Sequence, residues 1–160
     1  MDGSFINAIT VLAAVGLGLS AGALLAEGAV LVPFWRSLEP EEFLRWYRHH
    51  ASLLLRFFGP LEVVPALLVV VAAAISRFDG RPGSAPLGLS SLLAVAVLLT
   101  FPLYFRSANQ SFAGATLDAE KVGAELRRWS GWHWARTFVA IAAFVAALMA
   151  LGSPSPGCAA

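Results

Sequence analysis

Two glutamates, Glu27 and Glu62, lie inside long apolar runs of the sequence, and His133 and Arg136 stand where another such run begins. An ionisable residue inside a membrane span is expensive, so it marks a functional site by default, although it can also only hold a helix bundle together. A histidine can move a proton, and a neighbouring guanidinium can stabilise the anion that this leaves. These residue types predict acid–base chemistry within a membrane.

A second set of polar and aromatic residues stands near His133. Trp129, Trp132, His133 and Arg136 are spaced i, i+3, i+4 and i+7, which places them on one face of a helix. Such a face is also typical of an interfacial aromatic belt with a snorkelling arginine. Asn109 follows the preceding apolar run and is expected either to bind at the cytoplasmic mouth of a site or to cap the helix.

Four apolar runs must position these residues, over roughly residues 6–35, 51–76, 87–105 and 134–151. Each is about long enough to cross a ~30 Å hydrocarbon core as a helix. Hydrophobic residues make up 58% of the chain and charged residues 13%, about half the charged fraction of a soluble domain. The sequence therefore predicts an all-α fold, a four-transmembrane-helix bundle over residues 1–152 with a flexible tail over 153–160.

Charge placement predicts the orientation of the bundle. Of the 11 lysines and arginines, only Arg77 and Arg81 belong to the second loop, while nine flank the first and third loops. The positive-inside rule then places both termini outside an inner membrane of bacterial type. Helical patterns over residues 40–50 and 118–133 predict cytoplasmic extensions before spans two and four. Net charge is only +1 and there is no basic stripe, so nucleic acid is not an expected partner. The four apolar runs make the lipid bilayer the expected partner.

The two halves of the sequence resemble each other weakly. Trp46 precedes His50 by four residues, as Trp129 precedes His133, and this spacing predicts that each tryptophan stacks on its histidine. The duplication singles out His50 and places it at a depth similar to that of His133. We expect Glu27 and Glu62 about 10 Å deeper, below a polar mouth formed by His50, Asn109, His133 and Arg136. Trp46 and Trp132 complete the expected pocket.

The residues around the fourth span carry a family resemblance. Trp129, His133, Arg136 and Thr137 form a Trp-x-x-x-His-x-x-Arg-Thr stretch, Asn109 follows span three, and a glycine-rich first span ends in Val-Pro-Phe-Trp at residues 32–35. In these features the chain resembles the anthrone oxygenase-like family of small four-span membrane proteins. The resemblance covers nearly the whole chain.

The resemblance implies an oxidoreductase that converts a hydrophobic anthrone to an anthraquinone with O₂ as co-substrate and without a cofactor. It would place Asn109, Trp129, His133 and Arg136 at the catalytic site. His133 would act as the base, and Asn109 or Arg136 would stabilise the enolate oxygen. Glu27 and Glu62 match no common pattern of that family and are a departure from it.

Two other functions fit the same residues. A proton-coupled transporter would use Glu27 or Glu62 as its protonated site; with four spans it would need a homodimer, for which the small residues Ala14, Gly18, Gly22 and Ala26 offer a surface. Alternatively, His50 and His133 would ligate a haem, or these histidines with Glu27 and Glu62 would bind copper or iron.

The predicted topology can be tested by cysteine labelling. Single cysteines replacing Arg45 and Glu125 should be blocked only by reagents that reach the cytoplasm. The native Cys158, the one cysteine of the chain, should react with an impermeant maleimide added outside. The opposite labelling pattern would reverse the orientation.

Overall fold

The computed structural model describes residues 3–153, which form four long helices joined by short turns, with no strand among them. The helices are α1 (Gly3–Ser37), α2 (Pro40–Phe78), α3 (Ser84–Ala113) and α4 (Ala119–Leu151). Each is long and apolar enough to cross a membrane, which confirms the four predicted spans. Cys158 and the predicted tail, apart from Ser153, lie outside the described residues.

The starts of α2 and α4 follow the sequence signals closely. Helix α2 begins with Pro40 at its first position and two glutamates in its first turn, and α4 begins directly after Asp118. Proline fits the first turn because its missing N–H would be unpaired there, and acids favour the positive end of the helix dipole. With 39 and 33 residues, these helices measure about 58 and 50 Å, well beyond a ~30 Å hydrocarbon core.

The helices form an up-and-down bundle in chain order. α1 packs on α2, α2 on α3, α3 on α4, and α4 closes the ring on α1. The connections are short, and the turn between α2 and α3 has Gly80 and Gly83 at φ +60° and +82°. Short connections make sequential helices antiparallel neighbours.

The interior differs between the two ends of the bundle. One end is packed mainly by small side chains, among them Ala13, Ala14, Ala66, Ala72 and Ala147. Small residues let helices approach closely where lipid provides no hydrophobic drive for association. Large apolar side chains such as Leu12, Leu19, Leu53 and Leu92 point outward, which suits contact with lipid.

Aromatic residues fill the other end. This aromatic cluster consists of Trp35, Phe43, Tyr47, Phe105, Phe112 and Trp129. Its rings meet mostly edge to face, as for Trp35 on Trp129 with centroids 5.4 Å apart and an interplanar angle of 74°. That geometry suits the ring quadrupoles. The cluster covers one side of the polar residues described below.

The small-residue stripe of the first span packs only in part. Ala14 is buried and Gly18 lies against Phe144, whereas Gly22 and Ala26 are exposed on the outer surface. The closest helix approach is instead at Gly16, where a Cβ atom would lie 2.7 Å from Cβ of Pro65. Helix α2 continues without a break through both Pro60 and Pro65.

Gly16→Ala should destabilise the bundle by about 1–3 kcal/mol, because the rigid ring of Pro65 leaves no room for the added methyl group. Gly22→Ala is the matched control, since nothing lies within 4 Å of the Cβ position there. Thermal unfolding in detergent measures both. Equal midpoints for the two variants would contradict the close packing of α1 on α2.

Candidate functional site

The most unusual feature of the interior is a buried arginine between two glutamates. Nη2 of Arg136 on α4 donates to Oε2 of Glu27 on α1 at 3.2 Å, and Nη1 lies 3.5 Å from Oε1 of Glu62 on α2. The side chains of Glu27, Arg136 and Glu62 are only 4%, 7% and 10% exposed. This triad joins three helices, and the prediction that both glutamates point into the bundle is confirmed.

His133 is fully buried beside the triad, and both of its ring nitrogens are engaged. Nε2 lies 2.9 Å from the backbone oxygen of Leu24, and Nδ1 lies 3.2 Å from Nη2 of Arg136. A carbonyl can only accept and a guanidinium can only donate, so Nε2 carries the proton and Nδ1 accepts. His133 is therefore a neutral ring that holds Arg136 in place.

Two π-helical turns shape the site. In α1 the turn covers Glu27–Leu31, and in α3 it covers Phe101–Phe105. The first begins at Glu27, and the second ends at Phe105, whose ring centroid lies 4.1 Å from Cζ of Arg136. π-Helical turns inside α-helices are often found at functional sites. Here each turn brings one residue onto the same guanidinium, by an ion pair in one case and a cation–π contact in the other.

Gly28 explains how α1 and α4 come so close at this level. A Cβ atom on Gly28 would lie 3.0 Å from Nε2 of His133 and 3.2 Å from the ring of Trp134. Any larger residue would push His133 away from the carbonyl of Leu24. Glu27 thus pairs with Arg136, and the neighbouring Gly28 leaves room for the imidazole of His133.

Asn109 joins the site through Trp129. Nε1 of Trp129 donates to Oδ1 of Asn109 at 2.9 Å, and the indole stacks on His133 with centroids 5.0 Å apart and planes 7° from parallel. Asn109, Trp129, His133 and Arg136, the residues indicated by the family resemblance, thus form one contact chain. That chain ends at Glu27 and Glu62.

The charges of the triad do not balance when both carboxylates are ionised. One guanidinium then faces two carboxylates, which leaves one excess negative charge inside an apolar bundle. Because charge in a membrane interior is costly, the neutral form of the triad holds one proton on one of the two glutamates. The arrangement can therefore bind and release a proton.

The expected separation into a polar mouth and a deeper acidic layer is wrong, since Arg136 touches both glutamates. The error arose from the hydropathy boundary, which started the fourth span at about residue 134. The helix starts at Ala119, so Arg136 lies 17 residues after its start and 15 before its end at Leu151. It is a residue of the helix middle, at the level of Glu27.

Three expected pocket residues lie elsewhere. Trp132 is 39% exposed and stacks on Tyr104, so it does not share the buried face of Trp129 and His133. Trp46 and His50 stack at 4.2 Å, which confirms the spacing argument for that pair as the stacking in α4 does for the other. Nδ1 of His50, however, donates to the backbone oxygen of Trp46, and its ring neighbours are Trp46 and His49 rather than His133.

The candidate metal ligands are therefore only partly brought together. Glu27 lies 3.6 Å from Nδ1 of His133, but the guanidinium of Arg136 contacts both of these side chains. Within residues 3–153 no group of three or more histidine, cysteine, aspartate or glutamate side chains is arranged to hold a metal ion. Both ring nitrogens of His133 are already engaged, by Leu24 and Arg136, so neither is free for a haem iron.

Sequence reasoning missed three contributors to the site. Phe105 supplies the cation–π face, Gly28 the space, and the backbone of Leu24 the acceptor for His133. Phe105 is the last residue of the third apolar run. Gly28 follows Glu27 directly, and a glycine next to a carboxylate within an apolar run is the sequence feature that could have indicated its role. Nothing in the sequence distinguishes the carbonyl of Leu24.

Comparisons of this chain with protein-family models, with curated proteins and with solved structures find no match.

Arg136→Met should destabilise the protein by about 3–5 kcal/mol, because it leaves a buried carboxylate without its partner. Adding Glu27→Gln and Glu62→Gln to that variant should recover most of the loss, since the charges are then removed together. Unfolding followed by circular dichroism as sodium dodecyl sulfate is added to mild detergent measures the changes.

Arg127→Met is the matched control, because Arg127 is exposed on the same helix. A surface change of this kind should stay within about 0.5 kcal/mol of the parent protein. If the triple variant were no more stable than Arg136→Met alone, the ion triad would not be the source of the effect.

Proposed function

We propose that this chain is a membrane-embedded oxidoreductase that deprotonates a hydrophobic, weakly acidic substrate and lets the resulting carbanion react with O₂. The substrate would be an aromatic molecule of anthrone type that reaches the site from the bilayer. The protein would lie in an inner membrane of bacterial type with both termini outside, and the starts of α2 and α4 would extend into the cytoplasm.

The contact chain from Asn109 through Trp129 and His133 to Arg136 carries this proposal. A resemblance in sequence selected these four residues, which are spread over two helices. Their mutual contact in the fold is an independent observation that supports a shared role. The chain ends at two carboxylates, which supplies the acid–base groups that such a reaction needs.

The structure changes which residue is best suited to act as the base. His133 has its Nδ1 lone pair occupied by Arg136 and its Nε2 proton directed at Leu24, so it has no free position for a substrate proton. An ionised carboxylate of the triad has an oxygen lone pair that can accept such a proton. We therefore assign the base to the glutamate pair, and we assign to His133 the positioning of Arg136.

The proposed reaction balances without a cofactor. A methylene flanked by aromatic rings and activated by a conjugated carbonyl loses a proton to a carboxylate, and the electron pair moves into an enolate. The guanidinium of Arg136 would stabilise the enolate oxygen. O₂ then adds at carbon, and loss of water leaves a new carbonyl, so R₂CH₂ and O₂ give R₂CO and H₂O.

Purified protein supplied with an anthrone should take up O₂ faster than buffer and detergent alone. Combining Glu27→Gln with Glu62→Gln should lower that rate at least ~100-fold, the usual contribution of a general base. An oxygen electrode measures the consumption of O₂, and the absorbance of the quinone measures the formation of product. Glu120→Gln, which changes an exposed glutamate on α4, is the matched control and should keep the rate.

Anthrone oxidation that survives in the double variant would place the base outside the triad. An absence of O₂ uptake in the folded parent protein, for anthrones of several substitution patterns, would count against the oxygenase function itself.

Proton-coupled transport is a second candidate, and the charge imbalance of the triad favours it. Two carboxylates share one guanidinium, so one proton converts the site between neutral and charged forms within the bundle. A protein that alternates between two openings can use such a change to couple a proton to a solute. A dimer formed through the exposed Gly22 and Ala26 would supply the remaining spans.

Liposomes that contain the protein should then show solute-dependent proton movement, read from a pH-sensitive dye trapped inside. Glu27→Gln should abolish that movement, while Glu120→Gln should leave it unchanged. Proton movement that is identical in Glu27→Gln and the parent protein would rule out coupling through the triad.

A further inference from the structure

We propose that Arg136 binds the anion of a hydrophobic weak acid at Nη1, in the place that Glu62 holds in the structure, and that Glu62 accepts the acid's proton. This inference rests on the proposed function for the identity of the site and adds the binding mode and the class of ligand. It applies to carboxylic acids, phenols and enolisable ketones, which share an acidic proton and an oxygen anion.

The two glutamates hold Arg136 unequally. Glu27 accepts a hydrogen bond from Nη2 at 3.2 Å and also lies 3.6 Å from Nδ1 of His133. Among the described residues Glu62 has one polar side-chain contact, the 3.5 Å approach to Nη1, which is an ion pair without a hydrogen bond. Glu62 is also the more exposed of the two, at 10% against 4%. Glu62 is therefore the partner that a ligand can replace.

The guanidinium has donors free for this exchange. Nε and Nη2 are used by His133 and Glu27, whereas Nη1 donates no hydrogen bond within residues 3–153. An oxygen of a ligand anion could approach Nη1 to ordinary hydrogen-bond distance, which Glu62 does not reach. A charge-assisted hydrogen bond of this kind is about twice as strong as a neutral one.

The two side chains are not wholly enclosed, since Glu62 and Arg136 keep 10% and 7% of their side-chain surface exposed. Among the described residues, the one side-chain nitrogen or oxygen that is fully enclosed and lacks a partner is Nε1 of Trp35. Nη1 of Arg136 and the carboxylate of Glu62 make no hydrogen bond within the described residues, and they are not among such enclosed atoms. Gly59, one turn before Glu62 on α2, has nothing within 4 Å of its Cβ position.

The surroundings favour a flat, apolar ligand. Phe105 and Trp129 present their rings to Arg136, with centroids 4.1 and 5.9 Å from Cζ. Leu55 and Val63 near Glu62 are exposed on the outer surface, where the lipid would lie. A small inorganic anion would gain nothing from these rings, whereas an aromatic acid would be held by both its charge and its apolar body.

The exchange is a proton transfer that conserves charge. The O–H bond of the acid breaks, an O–H bond forms on Glu62, and the oxygen anion of the ligand takes the place of the carboxylate at Nη1. The step starts from the form in which both glutamates are ionised, so Arg136 faces two anions before and after it and the site keeps its one excess negative charge. When the acid is already ionised in water, Glu62 takes the proton from the solvent instead.

The test uses 1-naphthoate as the probe and its amide, 1-naphthamide, as a neutral molecule of the same shape. Binding to the detergent-solubilised protein is followed by quenching of tryptophan fluorescence, and proton uptake by a dye in weak buffer at pH 7. The parent protein should bind naphthoate at least ~10-fold more tightly than the amide, as expected for one charge-assisted contact. It should take up close to one proton per naphthoate bound.

Glu62→Gln should keep or strengthen naphthoate binding and lose the proton uptake, because glutamine no longer competes for Arg136 and cannot accept the proton. Glu120→Gln should behave like the parent protein in both respects. Arg136→Gln should bind naphthoate and the amide equally, and its helical circular dichroism reports whether it has folded.

Equal binding of naphthoate and the amide by the parent protein would overturn the proposal. So would proton uptake that is unchanged in Glu62→Gln, whatever the folding of the Arg136 variant. The assay involves no O₂ and no turnover. Naphthoate binding without anthrone oxidation would therefore reject the oxidoreductase while keeping the anion site, and the converse result would reject the anion site alone.

Discussion

The burial of one guanidinium determines how three of the four helices meet. Arg136 on α4 cannot face lipid cheaply, and Glu27 and Glu62 give it partners on α1 and α2. Because each carboxylate would be equally costly without the arginine, the three side chains fix the relative rotation of their helices. The glycine at position 28 and the π-helical turns at Glu27–Leu31 and Phe101–Phe105 then follow as means of bringing backbones close enough.

This constraint also explains why the bundle has two kinds of core. The end with small side chains packs by close backbone approach, supported by the buried hydrogen bond from Oγ of Ser90 to the backbone oxygen of Ala143. Around Arg136 the helices carry larger groups, and the aromatic cluster fills the additional volume while offering faces that a cation favours. The same rings bury His133, which leaves the imidazole neutral and fully hydrogen-bonded. A residue that resembles a catalytic base in the sequence thus becomes a support for the arginine in the fold.

The four spans, the starts of α2 and α4 and the inward direction of Glu27 and Glu62 could be predicted from the sequence, because each depends on local composition or on the high cost of charge in lipid. The contact of Arg136 with both glutamates could not. It depends on the depth of each residue. The start of the fourth apolar run at about residue 134 placed Arg136 near the interface, whereas it lies 17 residues into α4 and beside both glutamates. The pairing of His50 with His133 failed for another reason: a repeat in sequence predicts similar local structure, which both stacked pairs have, but it does not predict that the copies meet.

The two glutamates of the triad are not equivalent, because Glu27 is held more firmly than Glu62. Glu27 is held by the arginine and lies beside the histidine, so its loss would disturb the whole assembly, whereas Glu62 can leave Arg136 with little rearrangement. If the two glutamates were held equally, a proton on either one would weaken its helix contact with α4 to the same extent. In this arrangement a proton on Glu62 weakens the contact between α2 and α4 while the contact between α1 and α4 persists. Under the proposed function, protonation of Glu62 would thereby open access along α2 to a substrate entering from the bilayer, which a fully locked triad would prevent.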